Sequence, residues 1–228
     1  MNVTRHPSPN FGERRGGAIP DLIVLHYTAM ASAQLALDKL CDPVHEVSAH
    51  YLVGRDGHVF QMVDEGQRAW HAGAGAWGAC DDVNSRSIGI ELDNDGQTPF
   101  SAPLMDATET LLRGIMDRWS ITAERVIAHS DLAPQRKFDP GPRFDWRRLA
   151  QQGLAIWPDP DDALTPDPAM FSQLAQHFGY PECDTEILLA AFRSRFRPWA
   201  QGALDAADMS VISHLAKRFP VDAAPLTA

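Results

Sequence analysis

Two short apolar runs that each end in a histidine constrain the fold most. Residues 22–25 (LIVL) precede His26, and residues 126–128 (VIA) precede His129. Short apolar runs bounded by polar or turn-forming residues are typical of buried strands. We therefore predict two similar strands whose ends hold the two imidazoles rigidly at a cleft rim, with a loop beginning directly after His129.

Two carboxylates and a lysine are placed to join these histidines. In residues 87–93 (SIGIELD), the alternation of a strand directs the apolar side chains to one face and Glu91 to the other. Residues 136–142 (RKFDPGP) contain two prolines, which deny the segment a helix. Lys137 and Asp139 are two positions apart in an extended segment, so we expect them to project to the same side.

The set of His26, His129 and Asp139 is the ligand set of a catalytic zinc ion. Three protein ligands leave one tetrahedral position for water, whereas a structural zinc takes four protein ligands. Glu91 would take a proton as the water attacks a carbonyl, and Lys137 would stabilise the oxyanion. These residues together predict a hydrolase.

Other interpretations of the same residues remain open at this point. A histidine at a strand end is more often a packing residue than a ligand, Glu91 alone is an ordinary polar-face residue, and Asp139 before a proline starts turns. Two histidines and a carboxylate also form the facial triad of non-haem iron oxygenases. A third alternative is a receptor that binds a ligand at these residues without catalytic activity.

Seven segments point to one family. They are residues 23–28 (IVLHYT), 48–53 (SAHYLV), 54–57 (GRDG), 69–73 (AWHAG), 84–92 (NSRSIGIEL), 127–131 (IAHSD) and 137–141 (KFDPG). With these segments in the family's order, roughly residues 5–157 resemble the zinc-dependent N-acetylmuramoyl-L-alanine amidases, type 2, a family of peptidoglycan hydrolases.

The resemblance implies both a reaction and residue roles. The reaction is hydrolysis of the amide between N-acetylmuramic acid, or its anhydro form, and the L-alanine of the stem peptide, with Zn²⁺ as the cofactor. The family's zinc ligands fall on His26, His129 and Asp139, its catalytic acidic residue on Glu91 and its transition-state lysine on Lys137. The expected fold is α/β, a central mixed sheet flanked by helices.

Four further residues are candidates for substrate binding. Trp70 and His71 lie beside a glycine-rich loop, where an aromatic face and an imidazole suit a sugar or peptide. Asn84 and Arg86 are donors for the carboxylates of an acidic stem peptide. The alternative is that Trp70 packs in the core and that His71 caps a turn.

Proline and aspartate mark a boundary near residue 157. We predict a catalytic domain at 1–157, a linker rich in these residues at 158–167 and a small three-helix domain at 168–228. Helical patterns place its helices at about 168–178, 184–195 and 208–218. Residues 188–205 resemble the helical peptidoglycan-binding module often appended to such amidases. The alternative is a helical bundle that only packs on the catalytic domain.

Composition narrows the partners and the compartment. The net charge of −10 disfavours nucleic acid and anionic membranes as partners. The partners that the resemblance implies are peptidoglycan or soluble muropeptides, and the receptor alternative would bind the same ligands without cleaving them. Three cysteines without a Cys-x-x-Cys pair disfavour a disulfide scaffold. The first residues lack an apolar signal region, so we expect a cytoplasmic protein, or a periplasmic or cell-wall protein if a signal has been removed. The sequence does not define the oligomeric state.

Overall fold

Six strands form a mixed sheet at the centre of this computed structural model, which describes residues 3–159 and 164–222. In the order in which they lie side by side, the strands are β1 (Val3–Arg5), β5 (Val59–Gln61), β4 (Tyr51–Val53), β7 (Ser87–Leu92), β3 (Leu22–Tyr27) and β8 (Val126–Ala128). Only the β4–β5 pair is antiparallel among these neighbours. A separate ribbon pairs β2 (Phe11–Gly12) with β6 (Arg68–Ala69).

Helices connect and cover the strands. In the described part of the chain they are α1 (Ala33–Cys41), α2 (Val83–Arg86), α3 (Ala102–Trp119), α4 (His129–Leu132), α5 (Trp146–Gln151), α6 (Pro168–Phe178), α7 (Thr185–Phe196) and α8 (Ala206–Arg218). Asp167, Asp184 and Asp205 cap α6, α7 and α8, because each carboxylate accepts hydrogen bonds from backbone N–H groups of the first turn. These caps explain where the three C-terminal helices begin.

Strand β3 is apolar on both faces because helices cover both. Ile23 and Leu25 belong to the core that contains the buried residues of α3 and α5. Leu22 and Val24 point the other way, into a core shared with α6, α7 and α8. A continuous apolar run rather than an alternating one is what a strand between two layers requires.

The predicted fold class is confirmed, with one local correction. The central mixed sheet and the three C-terminal helices are present, and the helices begin and end within two residues of the predicted bounds of 168–178, 184–195 and 208–218. The predicted loop after His129 is wrong, since His129 begins α4. That turn of helix forms because the Asp131 carboxylate accepts a hydrogen bond of 2.8 Å from the Ala128 backbone N–H.

No helix within residues 3–159 and 164–222 combines the length and apolar character needed to cross a bilayer. The cytoplasmic location stays a prediction of the sequence. The predicted boundary at 158–167 also stays a prediction, and residues 160–163 of that linker lie outside the described residues.

Candidate active site

Parallel pairing brings the predicted site residues to one edge of the sheet. His26 in β3 lies opposite Glu91 in β7, and Leu25 lies opposite Ala128 in β8. His129 follows Ala128 directly and therefore lies beside His26. The carboxyl ends of parallel strands meet at one sheet edge, which is where ligands bind in open α/β sheets.

Three donor atoms converge at this edge. The Nδ1 atoms of His26 and His129 are 2.9 Å apart, and they lie 3.0 Å and 2.9 Å from Oδ2 of Asp139. All three side chains are buried, and their ligand atoms lie close enough together to hold one metal ion. Two imidazoles and one carboxylate form the donor set of an open zinc site.

A hydrogen bond on the side of the His129 ring away from Asp139 determines the tautomer of that ring. Nε2 of His129 is 3.0 Å from the carbonyl oxygen of Ala72. A carbonyl can only accept, so Nε2–H donates and the neutral ring keeps a lone pair on Nδ1. This lone pair points at Asp139 and His26, as a metal ligand requires.

Burial and hydrogen bonding set the charges of the cluster. Burial, followed by the proximity of His129, lowers the pKa of His26 to about 4. Burial alone would raise the pKa of the Asp139 carboxyl, but the close contacts of its Oδ2 atom with the His129 and His26 rings hold the pKa well below its usual range. At neutral pH the cluster thus offers a neutral His26 imidazole and an ionised carboxylate, the forms that bind metals.

Glu91 has an unpaired carboxylate oxygen next to this cluster. Its Oε2 atom is buried and has no hydrogen-bond partner among the described residues. Burial, and then the negative charge of Asp139, raises the pKa of Glu91 well above its usual value. A buried carboxyl without a partner and with a raised pKa suits proton transfer near neutral pH.

One pocket of about 340 Å³ collects the five residues predicted for catalysis and metal binding. They are His26, Glu91, His129, Lys137 and Asp139. Lys137 and Asp139 line the same cavity although Phe138 stands between them in the chain. The expectation that both project to one side agrees with this arrangement.

The four predicted substrate-binding residues divide into two pairs. Trp70 and His71 line the pocket. Asn84 does not, because its Oδ1 atom accepts hydrogen bonds from the backbone N–H groups of His71 and Ala72, at 3.1 Å and 2.9 Å. Arg86 also lies outside the pocket lining and forms an ion pair with Asp21. Contact of these four residues with substrate stays a prediction.

Phe138 and Arg136 are among the pocket residues that the reasoning from sequence did not identify. Phe138 lines the pocket and is 74% exposed, and Arg136 donates a hydrogen bond of 3.0 Å to the carbonyl of Ala74, which holds the loop beside the cluster. Both residues flank Lys137 in the chain. That adjacency was the signal available, since a proline-rich segment carrying two site residues places its neighbours at the site as well.

A sheet edge that gathers two imidazoles, two carboxylates and an ammonium group in one pocket is typical of a metal-dependent hydrolase. Residues 16–142 match the family described as N-acetylmuramoyl-L-alanine amidase. The match spans more than half of the chain, which therefore belongs to that family of amidases. This result confirms the predicted enzyme class and leaves the oxygenase and receptor alternatives without support.

Similar proteins extend the match beyond the catalytic segment. The N-acetylmuramoyl-L-alanine amidase AmiD of Escherichia coli K12 is 35% identical over 88% of this chain and 84% of its own length. The 1,6-anhydro-N-acetylmuramyl-L-alanine amidase AmpD of the same organism is 34% identical over 65% of this chain and 91% of its own length. These values show that the likeness to AmiD includes part of the C-terminal helices.

Solved structures agree with the sequence relatives. The structure of AmiD from E. coli, in complex with the substrate anhydro-N-acetylmuramic acid-L-Ala-D-γ-Glu-L-Lys, has a TM-score of 0.81 at 34% identity and covers 92% of this chain and 98% of AmiD. AmpDh3 from Pseudomonas aeruginosa, in complex with anhydromuramic pentapeptide, has a TM-score of 0.78 at 30% identity and covers 94% of this chain and 96% of its own.

Proposed function

We propose that this amidase uses zinc to hydrolyse the amide between anhydro-N-acetylmuramic acid and the L-alanine of a soluble muropeptide. The observation that carries the proposal is the convergence of three metal-binding atoms beside an unpaired carboxylate in one pocket. Support for the substrate class comes from AmiD and AmpDh3, whose structures contain anhydro-muramyl peptides. Intact peptidoglycan is the alternative substrate.

The residues at the sheet edge fit a zinc ion. Nδ1 of His26, Nδ1 of His129 and Oδ2 of Asp139 would hold it, and three protein ligands leave room for water or a carbonyl oxygen. When bound, zinc lowers the pKa of a coordinated water to about 7 and polarises the scissile carbonyl. No other cofactor is needed for amide hydrolysis.

Glu91 and Lys137 would perform the remaining steps. The Glu91 carboxylate accepts a proton from the attacking water and returns it to the nitrogen of the leaving L-alanine. The Lys137 ammonium group stabilises the oxyanion that forms on the scissile carbonyl. The reaction is balanced, because the hydroxyl group of water adds to the lactyl carbonyl carbon and the remaining proton of water goes to the released amine.

Trp70 is the predicted substrate residue best placed to make contact. Its side chain lines the same pocket as Glu91 and Lys137, and an indole face packs well on a sugar ring or on the apolar part of a peptide. We propose this stacking role for Trp70. Asn84 and Arg86 would contact only parts of the substrate that extend beyond the pocket.

A groove next to the C-terminal helices is a candidate binding surface for longer glycan or wall polymer. A groove of about 1300 Å³ lies between α7 and the segment that carries Lys137 and Phe138, and mainly apolar side chains line it. Lys137 and Phe138 also line the catalytic pocket, so the groove adjoins that pocket. We propose that the groove holds the part of a wall substrate that lies beyond the scissile bond.

The activity is tested by the products of a defined reaction. Protein loaded with zinc is incubated with an anhydro-muramyl peptide and, separately, with intact sacculi, and the products are identified by mass spectrometry. We expect a free peptide that begins with L-alanine, formed faster from the soluble fragment and abolished by a chelator. Faster release from sacculi would contradict the substrate preference, and no release from either substrate would contradict the activity.

The groove is tested by a substitution that fills it. Ala190 lines the groove on an exposed turn of α7 and does not line the catalytic pocket. Ala190→Trp is expected to weaken co-sedimentation with sacculi by about tenfold, since a filled groove excludes its ligand. Turnover of the soluble fragment should stay unchanged. Unaltered co-sedimentation would mean that these helices only pack on the catalytic part.

A further inference from the structure

His71 uses both ring nitrogens within the protein. Its Nδ1 atom is 3.0 Å from Nε2 of His26, on the side of the His26 ring away from the metal-binding cluster. Its Nε2 atom is 3.1 Å from Oγ of Ser87, the first residue of β7. The Ser87 hydroxyl in turn lies 2.6 Å from the carbonyl oxygen of Val83. Four residues thus form one chain of contacts.

The Val83 carbonyl, at the end of this series of contacts, determines which atom donates in each hydrogen bond. A carbonyl oxygen only accepts, so the Ser87 hydroxyl donates its proton to Val83 and its oxygen accepts from Nε2–H of His71. A neutral imidazole carries one proton, so Nδ1 of His71 accepts the proton of His26 Nε2. His26 is then left with a lone pair on Nδ1, the atom that faces His129 and Asp139.

The second histidine of the cluster is oriented by the next residue. The carbonyl of Ala72 accepts a hydrogen bond from Nε2 of His129. The consecutive residues His71 and Ala72 therefore each accept a hydrogen bond from one of the two imidazole ligands. Asn84 holds this loop through its hydrogen bonds with the backbone N–H groups of His71 and Ala72. The loop is thereby built as a support for the cluster.

Strand β7 leaves space for the His71 ring at Gly89. A methyl group at Gly89 would lie 2.6 Å from Nδ1 of His71, far inside van der Waals contact. The ring therefore lies directly against the backbone of β7. Gly89 sets the position of the ring and Ser87 sets which ring nitrogen carries the proton, and neither residue touches the metal site.

We propose that His71 is a positioning residue that fixes the tautomer and orientation of His26 for metal binding, rather than a group that binds substrate. The inference rests on the zinc site of the proposed function. It also gives Asn84 a role, as the anchor of the loop that carries His71 and Ala72.

Zinc affinity of the folded protein tests this role. The dissociation constant is measured by competition with a chromophoric chelator for the parent protein and for His71→Leu and His71→Asn. His71→Leu removes the acceptor for His26 and should weaken zinc binding about 10- to 100-fold. His71→Asn keeps an acceptor, because the amide oxygen can stand near the place of Nδ1, and should stay within a few-fold of the parent.

Thermal unfolding of the metal-free variants separates positioning from folding. If His71→Leu does not fold, Ser87→Ala serves instead: it removes only the acceptor of His71 Nε2–H, and a several-fold loss of zinc affinity is expected. Equal affinity in the parent and in the folded variant that lacks the hydrogen bond would overturn the proposal, as would an Asn variant as weak as the Leu variant. A parent protein that binds no zinc would instead contradict the metal site itself.

Discussion

Glu91→Gln is expected to lower kcat by about 10²- to 10⁴-fold while the zinc content stays that of the parent protein. Glutamine has nearly the same shape, so the buried site keeps its packing, but an amide cannot take the proton of the attacking water. The carboxylate oxygen that the substitution replaces has no hydrogen-bond partner among the described residues, so no structural contact is lost with it.

Kinetics with an anhydro-muramyl peptide and metal analysis by atomic emission measure the two effects together. His129→Ala is the matched control, because it removes a ligand atom and should lose both zinc and turnover. A Glu91→Gln protein that loses zinc as His129→Ala does would assign Glu91 to the metal site and contradict its role as the base.

Arg195→Ala is expected to destabilise the protein by about 3–5 kcal/mol. Arg195 in α7 and Asp131 in α4 are fully buried and form an ion pair across the interface between the C-terminal helices and the sheet. Tyr180 donates a further hydrogen bond of 2.8 Å to Asp131, and the Arg195 guanidinium lies 4.4 Å from the centre of the Trp146 ring. Removing the arginine leaves the Asp131 carboxylate buried without its countercharge.

Chemical denaturation of the full chain measures this loss. Arg5→Ala is the control, since Arg5 and Asp64 form an ion pair whose side chains are 57% and 61% exposed, and such a pair contributes at most about 1 kcal/mol. The double variant Asp131→Asn with Arg195→Met should recover part of the lost stability because it leaves no unpaired charge. A loss as small as that of Arg5→Ala would show that the buried pair does not join the two parts.

Sequence periodicity identified the elements that bury large apolar surfaces. Apolar runs mark β3 and β8, alternation marks β7, and helix α3 repeats apolar residues at helical spacing. Strands β1, β2 and β6 have only two or three residues each and contain no apolar run, so no pattern marks them. Strand order depends on long-range pairing and could not be obtained from local pattern.

Some site residues could likewise be identified from local sequence, whereas the roles of others depend on the fold. His26, His129 and Asp139 end recognisable segments, so the chain itself indicated them. The supporting role of His71 depends on Ser87, which is sixteen positions away and becomes its neighbour only through the fold. The C-terminal helices were predicted as elements, and their packing on the catalytic part was given only as an alternative to peptidoglycan binding. The signal was present in β3, where apolar residues on both faces require two covering layers.

The buried pair of Arg195 and Asp131 limits how this chain can be recombined with other amidases. Asp131 lies two residues after His129, in the same short helix, so a chimera that joins these C-terminal helices to another catalytic part must bring a matching acid with them. Without it, the graft would enclose an unpaired guanidinium next to the metal-binding helix. Exchange of this tail between relatives therefore has to proceed as paired changes on both sides of the junction.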